Sequence, residues 1–327
     1  MGELREVRVL LLLILLVGYV PALRAHPGGA AKADPLARGP HQTVVNDVRL
    51  WYRVAGKERG VPVVYVHGGP GQGSQSFAAI AGPALERTQR MVYLDQRGSG
   101  RSEKPWTNAY SVDLMVDDLE KLRRHWGVPR LVLVGHSFGT VVALEYAKAF
   151  PKQTAALVLA AGVPDLPAAG EIQCDRLERT DPDQYRRSTE GVAPGTKPRC
   201  NPLKGRGQEG SERYISSLMF PNPATEELVR HWDKKDGLGN TGIVGRHVLG
   251  EKFMRYRFDA RDALTMPVLV IAGGKDFQAV AEPQRQLAAD VPNGRFLVYA
   301  DAGHFVWADA AERFASDITE FIGRATK

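Results

Sequence analysis

Ser137, Asp276 and His304 are the side chains in this 327-residue chain whose types and surroundings suit nucleophilic attack on a carbonyl carbon. Ser137 stands in Gly135-His-Ser-Phe-Gly139, a G-x-S-x-G sequence. The apolar run Leu131-Val-Leu-Val134 leads into it, and a helix-like run of small and apolar residues, Thr140 to Phe150, leads out. A serine hydroxyl is a poor nucleophile until it is exposed and set beside a base. A strand that turns sharply into a helix does the exposing, and flanking glycines let other backbone come close to the bend. If these glycines only punctuated a strand end, no partner residues would follow at later strand ends.

Such partners do follow. Met266-Pro-Val-Leu-Val-Ile-Ala-Gly-Gly-Lys-Asp276 reads as a buried strand whose closing loop carries Asp276. Arg295-Phe-Leu-Val-Tyr299 reads as another strand, and His304 lies just beyond it in Ala300-Asp-Ala-Gly-His-Phe305. In this arrangement His304 takes the proton of Ser137 while Asp276 fixes the imidazole tautomer and stabilises the imidazolium. Asp301 is the rival acid, but three residues before His304 it is better placed to shape that loop. A further strand, Val61 to Val66, opens into His67-Gly-Gly-Pro-Gly71. A tetrahedral intermediate needs two backbone N–H donors for its oxyanion, and these are expected from Gly69 and Phe138. A phosphate cradle is excluded, because neither Gly-Lys-Ser/Thr nor G-x-G-x-x-G follows.

The elements that hold these residues alternate between buried strands and helices. Residues 43–54 read as a hairpin turning at Asn46-Asp47, Met91-Val-Tyr-Leu94 and Ala156-Leu-Val-Leu-Ala160 as strands, and residues 311–324 as a closing helix. Ser111 caps a helix whose apolar residues Leu114, Met115, Leu119, Leu122 and Trp126 keep a helical spacing. The pattern predicts an α/β fold, a mostly parallel sheet with helices on both faces and catalytic residues at the carboxyl ends of its strands. Between residues 165 and 264 it breaks into a segment rich in charge, Pro and Gly, read as an inserted helical cap. Residues 212–220 and 224–235 are its expected helices, and residues 203–210 an expected loop.

His67-Gly-Gly-Pro-Gly71, Asp95-Gln-Arg-Gly-Ser-Gly-Arg-Ser102 and the serine elbow resemble the prolyl aminopeptidase (proline iminopeptidase) group of α/β-hydrolases, over residues 41–164 and 265–325. The order serine, acid, histidine is that of the α/β-hydrolases. The resemblance implies an aminopeptidase that removes an N-terminal residue, often proline, from small or short-peptide substrates. It also implies that cap carboxylates hold the substrate's protonated amine. Glu171, Glu178, Glu209, Glu212, Glu226, Glu227 and Glu251 are the candidates. The elbow departs from the commonest family version, G-G-S-W-G, in a way shared with esterases. A carboxylesterase or lactonase using the same triad is therefore the alternative, and a non-catalytic binding protein on the same fold is a remote one. Asp95 and Arg97 are expected to stitch the rim of the site together.

The length suits one domain with an insert, residues 41–164 and 265–327 forming the core and 165–264 the cap. Charged residues at 24% and hydrophobic ones at 43% are those of a soluble globular protein. The net charge of +6 is spread among acidic residues with no basic run at aromatic spacing, which argues against nucleic-acid binding. No Cys/His cluster has metal-ligand spacing, and no cofactor is implied. Arg5 and Arg8 precede the apolar run Val9 to Val20, with small residues at Ala22 and Ala25. Residues 1–25 thus read as a secretory signal, too short in its apolar part to span a bilayer stably, and residues 26–40 as a flexible linker. That address predicts a secreted or periplasmic protein, in which the two cysteines, Cys174 and Cys200, pair as a disulfide within the cap.

Overall fold

The computed structural model describes residues 34–326. The stretch read as a secretory signal lies outside them. Residues 34–40 correct the expected linker: Leu36 is buried, its carbonyl accepts from Arg90, the Pro35 carbonyl accepts from the Tyr52 hydroxyl, and a strand already begins at Gly39. Apolar contact with the sheet outweighs the Gly/Ala/Pro composition there.

Eight strands form one sheet: β1 (Gly39–Val45), β2 (Val48–Gly56), β3 (Val63–Val66), β4 (Arg90–Asp95), β5 (Leu131–His136), β6 (Thr154–Ala160), β7 (Val268–Gly273) and β8 (Gly294–Tyr299). Their spatial order is β1-β2-β4-β3-β5-β6-β7-β8. The first two pairings, β1 with β2 and β2 with β4, are antiparallel; the rest are parallel. The hairpin turns at Asn46 and Asp47, both at positive φ, a conformation that Asn and Asp tolerate better than most residues.

Core helices are α1 (Gln75–Ile80), α2 (Gly82–Glu86), α3 (Val112–His125) and α4 (Phe138–Ala149) before the cap, and α11 (Ala281–Asp290), α12 (Val306–Asp309) and α13 (Ala311–Ala325) after it. Alternate strand residues point to opposite faces of the sheet. Val64, Val66, Val92 and Leu94 join one apolar cluster with Leu119, Val142 and Leu287 of α3, α4 and α11. Val63, Tyr65, Met91 and Tyr93 join another with Phe77, Trp307, Phe314 and Ile318 of α1, α12 and α13. Both faces are covered, which is why β3 to β7 read as continuous apolar runs rather than alternating ones.

The cap between β6 and β7 comprises α5 (Leu166–Thr180), α6 (Pro182–Thr189), α7 (Gly207–Met219), α8 (Pro223–Lys234), α9 (Ile243–Val248) and α10 (Glu251–Met254). One expectation is corrected. Residues 207–210 open α7 rather than ending a loop, and α5, α6, α9 and α10 join the two helices placed within the expected helical cap. Side chains of Asp165 and Asp181 cap α5 and α6, accepting from the N–H groups of Ala168 and Gln184, and prolines occupy their first turns. Cys174 bonds Cys200, with the Cα atoms 5.9 Å apart, joining α5 to the segment before α7.

Candidate active site

The Ser137 backbone has φ 51° and ψ −122°, a conformation that L residues rarely adopt. It links the end of β5 to the first turn of α4 and leaves the side chain half-buried. The bend needs space beneath it. A Cβ on Gly139 would lie 2.0 Å from the Val66 carbonyl oxygen, so the loop after β3 can approach α4 only because residue 139 has none. The same approach brings Gly68 against Ser137, where an added Cβ would sit 2.9 Å from Ser137 Cβ. Gly69 follows at φ +114°, and Phe138 is the buried first residue of α4.

His304 Nδ1 lies 2.8 Å from Asp276 Oδ2, with both side chains buried. The carboxylate accepts, so the imidazole carries its proton on Nδ1 and presents Nε2 as the basic atom. The other carboxylate oxygen accepts from the N–H groups of Gln278 (2.9 Å) and Ala279 (2.8 Å), which holds the side chain aimed at His304. Asp301 is 92% exposed and pairs with Lys275, so the structure brings Asp276, and not its rival, to the histidine.

Two further histidines pack around the elbow. His67 Nε2 accepts from the Gln96 N–H and its Nδ1 donates to the Gly68 carbonyl, while burial lowers its pKa. His136 Nε2 donates to the His304 carbonyl at 2.9 Å, tying the elbow to the histidine loop. Burial holds its pKa well below the ordinary value, with the nearby His304 adding to the effect. Both rings serve as fixed hydrogen-bonding groups, and burial disfavours the charged form of each. The sequence signals neither role, because each depends on partners 29 and 168 residues away.

The Asp95–Ser102 loop stitches the rim as expected. Asp95 accepts from the N–H and hydroxyl of Ser74 and from the Arg101 N–H. Arg97 makes a buried bidentate pair with Asp118, both contacts 2.7 Å. Removing one partner from such a pair costs about 3–5 kcal/mol, because the other charge is left buried alone.

The cap carboxylates are largely committed elsewhere. Glu171 and Glu178 pair with Arg199, Glu209 with Arg213, Glu226 with Arg230, and Glu251 with Arg255. Glu212 accepts from Gln208, and Glu227 is exposed on α8. Asp233, which the sequence does not single out, joins the cap to the loop after β3 by accepting from Gln72 Nε2 at 2.9 Å. Burial raises its pKa, against hydrogen bonds from Ser76 and Gln72 that lower it. Among the described residues no group of three His, Cys, Asp or Glu side chains is placed to hold a metal ion. No described helix is long and apolar enough to cross a membrane.

The chain matches the alpha/beta hydrolase fold family across residues 61–311. It belongs to that family. Among relatives of this α/β-hydrolase, a proline iminopeptidase of Saccharolobus solfataricus is 25% identical over 284 residues, 83% of this chain and 87% of that one. A solved proline iminopeptidase-related protein from Thermus thermophilus superposes with a TM-score of 0.70 at 25% identity, covering 89% of this chain and 99% of its own. An esterase from Thermogutta terrifontis superposes at 0.62 and 23% identity, covering 88% and 97%. The chain is thus a proline iminopeptidase-like α/β-hydrolase whose fold is shared with esterases.

Proposed function

We propose that this protein is an exported serine hydrolase that removes an N-terminal residue, of the proline type, from peptides through an acyl-enzyme on Ser137. The buried 2.8 Å contact between Asp276 and His304, at the strand ends beside the strained Ser137 elbow, carries the reading. Ser137 Oγ attacks the scissile carbonyl as His304 Nε2 takes its proton, and Asp276 stabilises the imidazolium. The N–H groups of Gly69 and Phe138 receive the oxyanion. Collapse of the intermediate passes the proton from His304 to the departing amine, and water then repeats the sequence to release the acyl group. Proline iminopeptidases among the relatives support the peptide substrate. The signal-like N-terminus and the disulfide, a bond that persists in oxidising compartments, support export.

A second reading, a carboxylesterase with the same triad, is favoured by the cap. The glutamates weighed for holding an ammonium group are mostly paired with arginines. A fluorophosphonate probe tests the shared chemistry, and parallel assays on proline arylamide and short acyl esters separate the substrates. Ser137 should be labelled, and Ser137→Ala should lose both labelling and turnover by several orders of magnitude. Labelling retained in the alanine variant, or activity within about tenfold of wild type, would refute the assignment.

A further inference from the structure

We infer that the cleft between α5, α7 and the Cys200 segment is a substrate subsite for an uncharged hydrocarbon group. The inference rests on the serine-hydrolase reading of Ser137 and adds a substrate class to it. The cleft has a volume of about 370 Å³, and no residue lining it carries a charge. Leu166, Leu203, Ile215, Leu218 and Met254 are among its apolar lining residues. The contrast within the molecule is sharp. A larger cleft of about 570 Å³ beside α4 carries Asp113, Glu145, Lys148, Glu251 and Lys252 in its lining, among apolar and aromatic residues such as Val112, Val248 and Phe253.

Position ties the neutral cleft to the triad. Gln278, in its wall, donates its N–H to Asp276. The Leu218 carbonyl accepts from the Phe277 N–H, and the next carbonyl, Met219, accepts from the His304 N–H at 2.8 Å. Met254 follows Phe253, whose ring packs 5.6 Å from that of Phe138, the residue after the nucleophile. Gln278 in the wall thus bonds the acid directly, and the chain neighbours of Leu218 and Met254 reach the histidine loop and Phe138.

The cleft is also built to keep its shape. Gln173 donates to the carbonyls of Phe277 and Gln278, fastening α5 to the acid loop. Gly170 lets Pro198 press on α5, and Cys200 in the wall is bonded to Cys174. Leu203 and Met254 line the cleft while remaining 38% and 49% exposed, so part of its apolar surface is open to solvent. A charged group entering such a site would lose water and meet no opposite charge, only the neutral polar groups of Gln173, Asn201, Tyr214 and Gln278, whereas a hydrocarbon gains from leaving water. The occupant is either the acyl chain of an ester or the apolar side chain of the residue after the N-terminal one in a peptide.

The test compares kcat/KM for p-nitrophenyl acetate and octanoate, and for Pro-Gly-amide and Pro-Leu-amide. Wild type should prefer the apolar member of one pair by at least tenfold, and the pair that responds identifies the source. Ile215→Trp, which fills the cleft, and Met254→Lys, which places a charge at its exposed edge, should each cut that ratio tenfold or more. No preference in either pair, or a preference that survives both variants, would overturn the subsite. Octanamide binding to Ser137→Ala protein, followed by calorimetry, needs no turnover. Its Kd should rise at least tenfold when Ile215→Trp is added, and absent or unaltered binding counts against the subsite. Failure of the serine-hydrolase reading looks different, with no labelling of Ser137 and no acetate turnover while octanamide still binds in the cleft.

Discussion

Asp276 and Asp301 are separated by 25 positions, and only their surroundings assign them different work. Asp276 is enclosed, with both oxygens engaged by His304 and two backbone N–H groups; Asp301 stands in water beside Lys275. Asp276→Asn should leave the fold intact and lower kcat by about 10⁴, because the amide would hold His304 in the wrong tautomer. Asp301→Asn should change kcat by less than about threefold, since an exposed ion pair contributes ~0–1 kcal/mol. Steady-state kinetics on both variants decides the matter, and the reverse ranking would move the acid to Asp301. Ser137, Asp276 and His304 were legible as candidates because each follows an apolar run. His67, His136 and Asp233 were not, since what distinguishes them is burial and partners far along the chain.

At the scale of elements, the serine elbow depends on how closely α4 approaches the end of β3. Gly139→Ala should destabilise the protein by roughly 3 kcal/mol or more, since its Cβ would meet backbone at Val66 rather than a movable side chain. Gly323→Ala makes a useful contrast. It lies in α13 with open space around it and should stabilise by about 0.5–1 kcal/mol. Thermal unfolding of the two variants should therefore shift in opposite directions, and a tolerated Gly139→Ala would show that the elbow packs differently. Strands and the closing helix were readable because their apolar residues repeat at the spacing of the element. The cap helices α5 and α6 were harder to see because few of their residues are buried; Cys174 and Leu177 are the large apolar ones covered in α5. Their ends are set instead by Asp165 and Asp181 and the prolines that follow.

For the whole molecule, the question is how a charge-rich cap stays seated on an apolar core. Hydrogen bonds such as Gln72 to Asp233 and Gln173 to the acid loop dock it, and the Cys174–Cys200 bond closes a loop within it. In the chain-entropy model, a crosslink spanning 26 residues contributes ~3 kcal/mol. Replacing both cysteines with serine should lower stability by about that amount and raise KM, because Cys200 lines the neutral cleft. A small fluorophosphonate should still label Ser137, whose elbow is built from the core. Loss of labelling in parallel with the rise in KM would mean that the cap also organises the triad.

The sequence by itself determined the layered α/β fold, the bend at Ser137, the chain order of Ser137, Asp276 and His304, and the break in the alternation after β6. Each is written in local pattern: apolar runs long enough for a buried strand, glycines at a bend, a break in the alternation. Tertiary structure decided which aspartate faces the histidine, which histidines are buried, that residues 34–40 pack against the sheet, and which cap surface is free of charge. Those outcomes depend on desolvation and on partners brought together across the sheet. A glutamate paired with an arginine and one left free look alike in a sequence; only the fold places their partners.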